Sequence, residues 1–231
     1  MPEPAALPVP KEGGPAPEGA GIRFRPAIPA DRDQIARLHH ACSRLQPGGF
    51  MHRLGLSFFR SYYRILLPDP NTVVISAEDP SGRILGFVAG CRDARAEMER
   101  LQRHRARLFL ACLPHLLRSP TLLLDLRARM RYLDADGPDS WGDHHGARIS
   151  FWCWDPASTA ARQSTLLLQR YLGHMRDTGA PAVRLEVDRI NRKVEMTHRM
   201  MGAITVRSVR TPGGQERLVM EHRFAVDQST R

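Results

Sequence analysis

His198 stands on a predicted helix running from Arg192 to Met201. An imidazole with an unperturbed pKa of about 6.5 is a proton donor suited to neutral pH. Upstream, Trp152-Cys153-Trp154-Asp155-Pro156 runs into Ala157-Ser158-Thr159-Ala160-Ala161-Arg162-Gln163-Ser164. The small residues Ser158 to Ala161 let a bound group approach the backbone closely, and Arg162 offers a charge-assisted fork to a phosphate oxygen. Glu186 and Glu78, on predicted strands, are the carboxylates to weigh as a base. Both also alternate as plain solvent-facing residues do.

Other chemistry is excluded or weakened by spacing. Cys42, Cys91, Cys112 and Cys153 lie far apart with no C-x-x-C pair, which argues against a zinc knuckle or disulfide framework and for a reducing, cytoplasmic compartment. Asp134, Asp136, Asp139, Asp143, His144 and His145 have ligand-like residue types. They lack the glycine and closing glutamate of a calcium loop and read as a solvated linker. No Gly-x-Ser-x-Gly elbow accompanies the serines and histidines, so a hydrolase is not indicated.

The elements that must position these residues follow from periodicity. Residues 1–21 are rich in Pro, Gly, Ala and Glu and read as a disordered leader, and 227–231 as a tail. The rest, 22–226, reads as a single α/β domain. Strands are predicted at 22–26, 73–77, 84–89, 148–154, 183–187, 204–209 and 217–224. Helices are predicted after Pro29, after Gly48-Gly49, from Ser158 or Thr159 to about Thr178, and over 192–201. Residues 93–145 carry leucines and methionines at helical spacing, broken by Pro114 and Pro120, and read as an arginine-rich helical insertion. The order, strand, two helices, two strands, insertion, then alternating elements, predicts a mixed sheet covered by helices.

The net charge of +10 is carried by arginine, the only lysines being Lys11 and Lys193. Such a balance favours anionic partners, whether nucleic acid, membrane surface or a phosphorylated cofactor. No nucleic-acid-binding motif accompanies it, no signal peptide opens the chain, and no apolar run is long enough to span a bilayer.

Over residues 22–92 and 146–224 the chain resembles the GNAT acyltransferase superfamily. That family's loop Arg-x-x-Gly-x-Gly or Ala aligns with Thr159-Ala160-Ala161-Arg162-Gln163-Ser164, so both motif glycines and the motif arginine are replaced. Its motif Asn-x-x-Ala-x-x-x-Tyr-x-x-x-Gly-Phe aligns with Asn191, Val194, His198, Gly202 and Ala203, with no insertion from Thr159 onward.

The resemblance implies a mixed, mostly antiparallel GNAT-like sheet flanked by helices, and acetyl-CoA or another acyl-CoA as co-substrate. It implies that Trp152, Cys153 and Trp154 lie beside the pantetheine arm and thioester. The loop Thr159, Ala160, Ala161, Arg162, Gln163 and Ser164 would receive the diphosphate, because unpaired N–H groups and the helix dipole favour an anion there. Asn191 joins the cofactor-binding set, and His198 takes the tyrosine's place as proton donor to the leaving thiolate.

Two readings follow. One is an acyltransferase acting on a primary amine of a small molecule or peptide, with a homodimer as one assembly open to it. The other is a catalytically inactive GNAT-like domain that binds partners through its arginine-rich insertion.

Overall fold

The computed structural model describes residues 21–46, 51–119, 121–127, 145–160, 162–211 and 214–224. The leader, Gly48-Gly49, the aspartates at 134, 136, 139 and 143, His144, Ala161 and the tail 227–231 lie outside the described residues.

The elements run β1 (Arg23–Pro26), α1 (Arg32–Ser43), α2 (Leu56–Leu66), β2 (Thr72–Glu78), β3 (Ile84–Cys91), α3 (Ala94–Arg103), α4 (Arg105–Arg118), β4 (Ala147–Trp154), α5 (Gln163–Asp177), β5 (Ala182–Asp188), α6 (Arg192–Met200), β6 (Ile204–Arg210) and β7 (Glu216–Arg223). A 3-10 turn, Met51–Leu54, precedes α2. The seven strands form one sheet in the order β1-β2-β3-β4-β5-β7-β6. Every pairing is antiparallel except β4 with β5.

Side-chain alternation divides the core between two faces. Val73, Ile75 and Ala77 of β2, Val88 of β3 and Leu185 of β5 pack with Leu167, Leu168, Tyr171 and Met175 of α5. Val74, Phe87 and Ala89 point the other way, against Ile35 of α1 and Phe59, Tyr62 and Tyr63 of α2. All of β3 is buried, as expected for a central strand with helices on both faces.

Strand β4 changes face along its length. Ala147 and Ile149 join the α5 side, whereas Cys153, four residues further in the same phase, joins the α1/α2 side. The cause is an irregularity opposite Ala89 and Gly90: Gly90 pairs with Ile149 and Ala89 with Phe151, so Ser150 is an extra residue. Such a bulge reverses side-chain parity beyond it and bends the strand. Glycine is required opposite it, because a Cβ on Gly90 would lie 1.9 Å from the Arg148 carbonyl oxygen and 2.4 Å from the Tyr171 hydroxyl.

Helix α5 begins at Gln163, later than the predicted Ser158 or Thr159. The polar side chains ahead of it close a local turn. The Asp155 carboxylate accepts from Ala157 N–H at 2.9 Å, and Ser158 Oγ accepts from Ala160 N–H at 3.3 Å.

Between β3 and β4, α3 and α4 dock on α2. Arg100 donates to the Ile65 carbonyl at 3.1 Å and pairs with Asp69 at 3.0 Å, and Arg148 of β4 pairs with Glu97 of α3 at 3.3 Å. Cys112 and Leu116 of α4 pack with Leu54 and Leu122.

Candidate functional site

The parallel pairing of β4 with β5 consists of Ala147 with Val183 and Arg148 with Arg184. Beyond Arg148 the ladder ends, and a cleft of about 130 Å³ opens between the two strands. Ser150, Phe151 and Trp152 form one wall, Leu185 to Asp188 the other, and Asn191, Val194 and His198 of the α6 region close one end. Gln46, at the end of the α1 segment, also borders it.

The splay has a direct chemical consequence. Backbone N–H and C=O groups on the β5-facing edge of β4 have no strand to pair with. They form a short template for an extended ligand that carries amide groups of its own. Two side-chain atoms in the same wall, Ser150 Oγ and Trp152 Nε1, are buried without a hydrogen-bond partner. A buried donor left unmatched is costly, so these atoms fit a site completed by a polar ligand.

Cys153 does not present its thiol to the cleft. It is 3 % exposed and packed toward α1, where the neighbouring Cys42 thiol and burial push its pKa up. Cys42 Sγ donates to the Trp154 carbonyl at 3.3 Å. Trp154 lies over Gly86 of β3, where any side chain would meet its ring at 2.2 Å, and its Nε1 is also buried without a partner.

Downstream of β4, the turn 155–160 leads into the N-terminus of α5. Arg162 occupies the N-cap position with no side-chain cap, and the first turn holds no acidic residue. Uncapped amides and the positive end of the helix dipole suit an anion. Arg162 and Thr159 are exposed, while Ala160, Gln163 and Ser164 are half-buried. The arginine at the N-cap can therefore approach an anion from solvent without filling the helix end.

Asn191 is committed differently from expectation. Its side-chain oxygen caps α6, accepting from Val194 N–H at 3.4 Å. Glu186 lines the cleft but is held by Arg217 at 3.4 Å, which also grips Asp188 at 2.6 Å. Glu78 is tied to Arg23 and Arg25 of β1, at the opposite edge of the sheet from β5, and is no candidate base.

His198 lines the cleft, and its surroundings disfavour the protonated form that the expected role of proton donor calls for. It is 1 % exposed, its ring meets the Trp152 indole edge-on at 5.6 Å, and its Nδ1 lies 3.0 Å from His222 Nε2. Burial, with the neighbouring His222, pushes its pKa down to about 3.

The hydrogen bonds also assign its tautomer. His222 donates to the Met201 carbonyl, and a neutral imidazole has one N–H. His222 Nε2 is then an acceptor, His198 Nδ1–H donates to it, and His198 Nε2 is left as a bare acceptor. Sequence reasoning missed His222 because 24 positions and a change from helix to strand separate it from His198. Arg217, the bulge at Ser150 and Gln46 were missed for the same reason: each acts through long-range pairing.

No family model matches the chain, and no curated protein matches it. Solved structures do. The chain is similar to a GCN5-related N-acetyltransferase from Kribbella flavida, with TM-score 0.54 at 15 % identity over 89 % of this chain and 99 % of that one. It is similar to a ribosomal-protein-alanine N-acetyltransferase from Brucella melitensis, with TM-score 0.56 at 12 % identity over 87 % and 99 %. Mutant forms of a spermidine/spermine N-acetyltransferase from Vibrio cholerae match with TM-score 0.54 at 12 % identity over 89 % and 95 %. The fold of this chain, a mostly antiparallel seven-stranded sheet flanked by helices, is that of the GNAT acetyltransferases.

Proposed function

We propose that the protein transfers an acyl group from an acyl-CoA to a primary amine. The carrying observation is the two-residue parallel pairing of β4 and β5 followed by a cleft with an unpaired β4 edge. An acyl-CoA supplies a thioester: the amine nitrogen attacks its carbonyl carbon, the C–S bond breaks with the electron pair leaving on sulfur, and the proton released by the nitrogen passes through water to the thiolate, giving amide and free thiol.

The β4 edge and Trp152 Nε1 bind the amide-bearing arm, and the uncapped start of α5 with Arg162 receives the diphosphate. Amides on that edge donate to the carbonyl oxygen as charge develops on it. His198, neutral and bearing its lone pair on Nε2, accepts a hydrogen bond from the incoming amine or a water beside it, and so orients it. A thiol pKa of about 8.5 makes the departing thiolate a tolerable leaving group without a dedicated acid.

The amine enters by the end bordered by Gln46, between the α1 segment and β4. Acceptors such as those in the names of the similar structures, spermidine or spermine and ribosomal-protein alanine, belong to the class to be screened.

Calorimetric titration with acetyl-CoA tests the reading. Micromolar binding to the wild type, weakened at least tenfold in Arg162→Glu, supports it. Absence of binding by any acyl-CoA favours the second reading, a catalytically inactive domain of the same fold. That alternative draws on the unprotonated state of His198 and on the replacement of the loop glycines.

A further inference from the structure

Helix α4 has two apolar stripes where one is needed. Cys112 and Leu116 face the core with α2, but Leu110 and Leu117, seven residues apart and so on one side of the helix, are 64 % and 77 % exposed. The helix at 121–127 repeats the arrangement. Leu122 is buried, whereas Leu123 and Leu124 are 47 % and 68 % exposed. Isolated exposed leucines are ordinary, but four on two consecutive helices form a surface that calls for an occupant.

The charges around it indicate which occupant. Over residues 104–127 the only acidic residue is Asp125, and its carboxylate is held by Arg53. Arg107, Arg118 and Arg127, which flank these leucines along the two helices, are exposed and, among the described residues, have no carboxylate partner. Elsewhere on this chain arginines are commonly paired, as Arg25, Arg100, Arg189 and Arg217 are. A second copy laid on this face would set arginine against arginine. A nucleic acid would satisfy the arginines with phosphate but offer no apolar phase to the leucines. A bilayer with anionic headgroups offers both, phosphates at the surface and acyl chains just beneath.

We propose that α4 and the helix at 121–127 form a peripheral docking face for an anionic lipid bilayer. Leu110, Leu117, Leu123 and Leu124 enter the boundary between headgroups and acyl chains, and Arg107, Arg118 and Arg127 sit on lipid phosphates. No helix among the described residues is long and apolar enough to cross a membrane, so the association is one of lying on the surface. The inference is independent of the chemistry assigned to the cleft.

Co-sedimentation of the full chain with vesicles tests it, using phosphatidylcholine alone and phosphatidylcholine mixed with phosphatidylglycerol. The protein is expected to bind the anionic vesicles and not the neutral ones. Arg107→Gln with Arg118→Gln should reduce partitioning by on the order of 25-fold, about fivefold for each arginine lost. Leu110→Ser with Leu117→Ser should also release the protein, while circular dichroism and the thermal midpoint stay unchanged because both side chains are exposed.

Three results would overturn the proposal. One is equal binding to both vesicle types. Another is anionic binding that depends on the arginines but is untouched by the leucine substitutions, which marks nonspecific charge attraction. The third is a stable dimer in sedimentation velocity that the leucine substitutions dissociate, which assigns the face to a second copy of the chain.

Discussion

Replacing His39 with asparagine should flatten the acid limb of the protein's stability profile. His39 is 2 % exposed, its Nδ1 lies 2.8 Å from the Tyr63 hydroxyl, and its ring packs 4.5 Å from Phe59 and 4.2 Å from Phe151. Burial in this aromatic setting, with the nearby His40 second, pushes its pKa down to about 3. The unfolded chain restores an ordinary value of about 6.5.

The sign of the effect follows from proton uptake. Above pH 7 neither state binds the proton. Below pH 6.5 the unfolded chain takes it and the folded chain does not, so stability falls as pH falls, by about 1.4 kcal/mol per pH unit until the folded pKa is reached. Between pH 7 and pH 4.5 the wild type should therefore lose about 2.5 kcal/mol through this residue alone. That is a large fraction of the roughly 5–15 kcal/mol that holds a typical domain folded.

His39→Asn keeps a polar atom near the Nδ1 position for Tyr63 and removes the titration. Its cavity lowers stability by an amount independent of pH, which cancels in the comparison. Urea unfolding at pH 7, 6, 5.5, 5 and 4.5 gives the difference between the two proteins. A difference that narrows by about 2.5 kcal/mol toward pH 4.5 is expected. A constant difference across that range would refute the reasoning, because His39 would then titrate in the folded state much as it does in the unfolded one.

Gly90→Ala should destabilise by about 3 kcal/mol, since the new methyl meets a backbone carbonyl that cannot move without opening the bulge; thermal unfolding measures it. Tyr171→Phe removes the hydroxyl that donates to the Arg148 carbonyl at 3.1 Å and should lower stability by about 1 kcal/mol in urea titration. His222→Leu leaves His198 Nδ1–H buried without an acceptor and should lower stability by about 2 kcal/mol, whereas His222→Gln, which retains an acceptor, should lie near the wild type; equal losses in both would dismiss the assigned tautomer. Arg217→Met frees Glu186 and Asp188 from their ion pair beside the cleft, and should weaken acyl-CoA binding by on the order of tenfold, as two unneutralised carboxylates then face an anionic ligand.

Local pattern carried most of the fold. The alternation of Val73, Ile75 and Ala77 against Val74 marks β2 as a strand between two apolar layers, and each residue's face follows from its neighbours a few positions away. Helical spacing in α2 and α5 is legible for the same reason. The start of α5 was misplaced because Asp155 and Ser158 have the chemistry of a helix cap and use it on a turn.

The site itself was divided between the two levels. Residue types and the unbroken spacing from Thr159 to Gly202 point to the strand, loop and helix that would hold an acyl-CoA, since these are contiguous in the chain. What only the tertiary structure decided is how they meet. The β4–β5 ladder stops after two residue pairs, beside a bulge of β4 against β3, and no residue in β4 announces either alone. His198 is unreadable as an acid or an acceptor until His222, Trp152 and Met201 surround it, because protonation is set by desolvation and by partners that folding brings from elsewhere in the chain.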